Sequence, residues 1–100
     1  MKPVKTEIME WGIMFTFADG SYCKKHYDGN EYWYNKENEL HRGNDQPAVI
    51  GANGIKYWMV NGKHHRDNDQ PAIIYADGSK SWYINGKSTR TEKLGDTNET

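Results

Sequence analysis

Two stretches of this chain carry the side chains that polar chemistry needs, and they are copies of each other. His41-Arg42-Gly43-Asn44-Asp45-Gln46-Pro47-Ala48 returns 24 residues later as His65-Arg66-Asp67-Asn68-Asp69-Gln70-Pro71-Ala72. Arg42 and Arg66 present planar donor forks that match a carboxylate or a phosphate, and Asp45 and Asp69 supply acceptors. Read as a site, the motif is a recurring polar edge with Arg42, Arg66, Asp45 and Asp69 as its binding residues. Read as scaffold, the aspartates hydrogen-bond loop backbone, as Asp and Asn do habitually in turns, and the arginines pair with them across neighbouring copies. Duplication favours scaffold, because a catalytic residue is seldom needed twice whereas a supporting device is needed in every copy.

Other chemistries find less. His64, His65, Asp67 and Asp69 cluster, but a zinc site wants a closed set of His and Cys ligands. The Gly and terminal Glu spacing of an EF-hand loop is missing. No metal and no cofactor is therefore expected. Cys23 has His26 three residues on, which places the two on opposite faces of a strand rather than in a nucleophile–base pair. Every glycine is placed at a turn, so no phosphate-binding loop is expected. No catalytic residue is assigned and the chain is read as a non-enzyme.

A net charge of -1 and a pI near 6.4 argue against nucleic acid as partner. The one cysteine cannot form an internal disulfide and suits a reducing compartment. No apolar stretch reaches the length of a membrane span. A soluble cytoplasmic protein with no membrane partner is the expectation.

The elements that must hold these residues are legible in the same 24-residue offset. Trp58 returns as Trp82, Asn61-Gly62-Lys63 as Asn85-Gly86-Lys87, and Asn53-Gly54 as Asp77-Gly78. A fixed period of this length marks a repeat in which each unit buries its apolar face on the next. Asp-Gly and Asn-Gly are hairpin-turn signals, and turns every 8–12 residues predict an all-β antiparallel meander. Proline at the loop exits, Pro47 and Pro71, suits the start of a strand, where its missing donor does no harm.

Hydrophobic content is only 35% and mean hydropathy is -1.05. The four Trp, seven Tyr and two Phe supply the buriable area instead, so a thin sheet with an aromatic face is expected. Alternation puts Trp58 and Val60 on one face with Trp82 and Ile84, and Tyr57, Met59 and Tyr83 on the other. Trp33, Trp58 and Trp82 are the structural anchors, with Pro47 and Pro71. Residues 1–94 read as one domain: a degenerate unit over 7–48 and regular units over 49–72 and 73–87. The spacing from Trp33 to Trp58 is 25, one more than the period, and Glu37-Asn38 stands where the Asn-Gly turn belongs. From Ser88 the pattern fades. Thr89-x-x-Glu92 has the form of a capping box, so the tail is read as a short helical turn or as frayed chain, with 95–100 disordered.

The run Trp58-Met59-Val60-Asn61-Gly62-Lys63-His64-His65-Arg66-Asp67-Asn68-Asp69-Gln70-Pro71-Ala72, with Trp82-Tyr83-Ile84-Asn85-Gly86-Lys87, resembles a repeat of small tailed-phage and giant-virus proteins. It is distantly similar to MORN-type repeats. The resemblance covers about residues 31–87, and departs from the pattern where Gln46 and Gln70 replace glycine before proline. It implies a β-meander without catalytic activity, of viral origin, acting in the host cell cytoplasm. The expected function is protein binding, as a phage-encoded inhibitor of a host or anti-phage defence protein, through Tyr57, Met59 and Tyr83 or the acidic loop edge. The alternative is a module that binds glycan, nucleotide or single-stranded nucleic acid by its aromatics. Open edge strands further suggest a homodimer.

Overall fold

Turn chemistry sets the strand boundaries. The computed structural model describes residues 2–94, and the expected disorder of 95–100 lies outside them. Four turns share one construction, at Asp19-Gly20, Asp28-Gly29, Asn53-Gly54 and Asp77-Gly78. In each, the Asp or Asn Oδ1 accepts the backbone N–H two residues on, at 2.8–3.1 Å. Only the glycine takes a left-handed backbone, with φ between 90° and 99°. The Asn-Gly turns differ. Asn61-Gly62 and Asn85-Gly86 have positive φ at both positions, 48° and 81°, then 49° and 85°, as a two-residue hairpin loop matched to strand twist requires. Where the first unit has an extra residue, Asn38 alone takes φ 67° and Asn35 N–H donates to Glu39 C=O at 2.9 Å. That longer turn accounts for the 25-residue spacing.

Among the described residues these turns separate eleven strands: β1 (Lys5–Ile8), β2 (Gly12–Thr16), β3 (Tyr22–His26), β4 (Glu31–Tyr34), β5 (Val49–Ile50), β6 (Lys56–Tyr57), β7 (Met59–Val60), β8 (Lys63–His64), β9 (Ile73–Ile74), β10 (Lys80–Ile84) and β11 (Lys87–Glu92). Nine form one antiparallel sheet in the order β1-β2-β3-β4-β5-β6-β9-β10-β11. The all-β meander is thus as the turn spacing predicts. The sheet does not close, and the molecule is long and thin, 53 × 27 × 18 Å.

The crossing from β6 to β9 leaves out β7 and β8, which pair with each other as a separate hairpin. Trp58 is the branch point. Its N–H donates to Ala72 C=O at 2.7 Å, within the sheet, and its C=O accepts His65 N–H at 3.1 Å, within the hairpin arm. The hairpins stack on one another. Gly62 N–H donates to Leu40 C=O at 2.9 Å, and Gly86 N–H to His64 C=O at 2.8 Å. Beside each, the Nδ1 of His41 accepts Asn61 N–H and that of His65 accepts Asn85 N–H, both at 3.0 Å. The histidines of the copied motif are therefore hairpin clasps.

Register assigns the faces. Phe15, Cys23 and Trp33 are cross-strand partners on one face, and Met14, Lys24 and Tyr32 on the other. Small buried residues meet each tryptophan across the ladder: Cys23 lies opposite Trp33, and Ala48 and Ala72 hold the matching positions in the next two units. All three are at most 1% exposed.

Three sequence expectations are corrected. Residues 87–92 form strand β11, paired along β10, not a helical turn or frayed chain. The first strand begins at Lys5, two residues before the degenerate unit read over 7–48. The face assignment of the long strands also fails beyond the tryptophan: Val60 and Ile84 are 37% and 44% exposed, while Met59 is 7% exposed. The ladder changes partner at Trp58 and shifts register between Trp82 and Tyr83, so strict alternation does not carry past either tryptophan.

Candidate functional site

In each unit an arginine stacks on a tryptophan. Arg42, Arg66 and Arg90 lay their guanidinium groups over Trp33, Trp58 and Trp82, 3.7, 3.9 and 3.8 Å from the ring centroids. Arg42 and Arg66 also donate from Nη1 to the carbonyls of Pro47 and Pro71, at 3.2 and 3.1 Å. The preceding loop closes each stack. Trp58 Nε1–H donates to Asp45 C=O at 3.0 Å, and Trp82 Nε1–H to Asp69 C=O at 3.1 Å. To bring those carbonyls in, Asn44-Asp45 and Asn68-Asp69 all adopt positive φ, 55–63°, a conformation Asn and Asp tolerate better than other side chains.

Asp45 and Arg66 form a bidentate pair across units, Nε to Oδ1 at 2.8 Å and Nη2 to Oδ2 at 3.3 Å. The Arg66 hydrogen bonds hold the Asp45 carboxyl below its ordinary pKa. Asp69 and Arg90 are looser at 3.9 Å. The expected cross-unit pairing of aspartate with arginine is present, but the aspartates meet an indole through their carbonyls rather than bonding their own loop through their carboxylates. Arg90 was signalled by the same offset, 24 residues after Arg66; Ser88-Thr89 in place of the histidines hides it.

The first unit is incomplete. No loop precedes Trp33, because β2 and β3 are joined by the tight turn at Asp19-Gly20. Glu31 substitutes in part: Trp33 Nε1–H donates to its Oε2 at 2.6 Å, and Arg42 Nη1 lies 3.9 Å from the same oxygen. Arg42 Nε and Nη2 meet no carboxylate among the described residues. Burial lowers the Arg42 pKa, against the Glu31 charge, which raises it. A cleft of about 610 Å³ opens here over Trp33, Phe17 and Arg42. One unit on, at Trp58 and Arg66, where Asp45 is in place, the equivalent hollow is about 210 Å³.

The opposite face of β2–β4 carries a second feature that sequence reasoning passed over. Lys24 Nζ lies 5.7, 5.9 and 5.4 Å from the rings of Trp11, Tyr22 and Tyr34. Tyr22 stacks on Tyr34 at 4.8 Å, Trp11 on His26 at 4.5 Å, and Tyr32 meets His26 edge-on at 5.3 Å. All these side chains are half-buried. The signal was the alternation of Tyr22, Lys24 and His26 against Tyr32 and Tyr34, legible only once β3 and β4 are paired.

Of the residues expected to bind through the aromatic face, Tyr57 and Tyr83 close on His64, at 5.2 and 5.1 Å, and Met59 is buried. Buried Cys23 faces Trp33, and burial with the nearby Glu31 charge pushes its thiol up to about 12, so the nucleophilic thiolate is suppressed. No described helix is long and apolar enough to cross a membrane. No family model, curated protein or solved structure matches the chain.

Proposed function

We propose that the protein is a non-enzymatic binding module whose ligand is another protein, engaged by the half-buried aromatic face of β2–β4. The observation that carries this reading is the band of Trp11, Tyr22, Tyr32 and Tyr34 around Lys24. Trp and Tyr dominate protein-binding hot spots, because they offer large rigid contact area with a polar tip. The copied polar residues support the reading by elimination: their forks, carbonyls and imidazoles are largely spent on one another. The resemblance to phage repeats narrows the partner to a host or anti-phage defence protein that the module blocks in the cytoplasm.

A second reading has one observation in its favour. A lysine set among stacked rings is also a platform for a sugar or a nucleic-acid base. The two separate on salt dependence, which is steep where phosphates are neutralised. Immobilised protein should retain one polypeptide from cell lysate in 0.5 M salt (a salt level on the order of several times physiological). Tyr32→Ser with Tyr34→Ser should abolish retention while leaving the fold intact by circular dichroism. Retention of oligonucleotide that is lost with salt would put the second reading first.

A further inference from the structure

We propose that the cleft at Trp33 and Arg42 receives a carboxylate-bearing turn of the partner protein, because it is the vacant first position of the chain's own repeat. This rests on the protein-binding reading and adds a second contact, on the face of β2–β4 opposite the aromatic band.

The chain displays the ligand once in full, at Asp45 and Arg66, and once loosely, at Asp69 and Arg90, where Arg90 Nε turns to Glu92 at 3.5 Å. In the next unit, Trp58 and Arg66 are met by the loop carrying Asp45, whose carboxylate spans Nε and Nη2 of Arg66. Arg42 is held in the same pose, stacked at 3.7 Å on its indole and tied by Nη1 to Pro47 C=O. Its Nε and Nη2 are the two donors left over. A guanidinium fixed by stacking has little left to lose on pairing, so its fork selects a carboxylate by geometry. The hollow matches: it shrinks from about 610 to about 210 Å³ where the chain's own loop is present. Since Glu31 already takes the Trp33 indole N–H, the incoming turn needs to bring only its carboxylate.

Charge around the cleft is nearly balanced: Asp19, Glu37 and Glu31, the last 3.9 Å from Arg42 Nη1, face Lys36 and Arg42, and Asp19 is occupied by the N–H and hydroxyl of Ser21, at 2.9 and 2.6 Å. Bidentate geometry, not a long-range field, is therefore what discriminates. A second copy of this chain is a poor occupant. Asp45 is held by Arg66, Asp69 lies against Arg90, and the position 24 residues after Asp69 is Lys93. The last unit thus lacks the aspartate that would extend copies head to tail.

The test uses isotope-labelled full-length protein titrated with a terminally blocked peptide of residues 43–48, in which aspartate is the sole carboxylate. The Arg42 Nε–H and Trp33 Nε1–H resonances should shift and saturate. Replacing the peptide's aspartate with asparagine should weaken binding about tenfold or more, the scale of a charge-assisted pair. Arg42→Lys should abolish the response; if that variant does not fold, the asparagine peptide decides alone. No shift at these two resonances, or an equal response to the asparagine peptide, overturns the proposal. So does a concentration-dependent dimer that Arg42→Lys dissolves, since a second copy would then be the occupant. A silent cleft with partner capture still lost in the Tyr32 and Tyr34 variant would remove this inference and leave the binding module standing.

Discussion

Arg66 and Asp45 touch each other, yet they carry unequal weight. Arg66 is 14% exposed, stacked on Trp58 and bonded to Pro71, whereas the Asp45 side chain is 62% exposed. Arg66→Ala should cost about 2–4 kcal/mol, since it strips a desolvated cation–π contact and a charge-assisted hydrogen bond at once. Asp45→Asn should cost clearly less, because solvent screens its charge. Urea unfolding of the two variants measures the difference, and equal losses would mean the salt bridge dominates the stack. His64 gives a pH signature. Its Nδ1 is buried between Tyr57 and Tyr83 with no hydrogen-bond partner among the described residues, and burial lowers its pKa below 6.5. The unfolded chain therefore takes up that proton first. The His64 contribution to stability is full above about pH 6.5, falls on acidification, and levels off below the folded-state pKa. His64→Phe should flatten the decline in melting temperature between about pH 7 and 5 relative to the parent.

At the scale of strands and turns, backbone proximity decides more than side chains do. Gly12 faces His26 in the β2–β3 ladder, and a Cβ there would overlap Lys25 O and stand 2.8 Å from His26 Cα. Gly12→Ala should cost more than about 2 kcal/mol by forcing the strands apart. It should also separate Trp11 from His26, visible as a change in near-UV circular dichroism. Turns and repeat period were legible in the sequence because Asp-Gly and Asn-Gly act within four residues. What lay hidden was long-range. Lys56-Tyr57-Trp58-Met59-Val60 alternates like Lys80-Ser81-Trp82-Tyr83-Ile84, yet the former splits between two ladders and the latter stays in one with a register shift. Side-chain period encodes a pleat, not which neighbour the backbone will pair with. Strand β11 escaped notice because Lys-Ser-Thr-Arg-Thr-Glu buries no face, leaving Thr89 and Thr91 as its only strand formers. The site divided in the same way. Its arginines and aspartates were readable as a repeated set, whereas the unfilled first position and the band around Lys24 exist only after strands pair.

Across the whole molecule, the sheet is one layer with repeating joints rather than a central core. Each regular unit adds two sheet strands and one stacked hairpin, and neighbours contact mainly neighbours, so stability should accumulate unit by unit. A further copy of residues 49–72 inserted after Ala72 should fold, lengthen the particle by about 10 Å (two strand spacings) and raise the unfolding midpoint. Small-angle scattering and urea titration check both, and an unfolded insert would show that the copies are not interchangeable.

The stacked hairpins bear on inheritance as well as on shape. The joint between Gly62 and Leu40 is built like the joint between Gly86 and His64, so loss or gain of one 24-residue segment by unequal recombination leaves no mismatched seam. Reach is therefore a trait that evolution can reset in a single event. The singular ends of the repeat, with Arg42 lacking its loop aspartate on one side and Lys93 in the aspartate's place on the other, are what such an event cannot duplicate without changing what the protein holds.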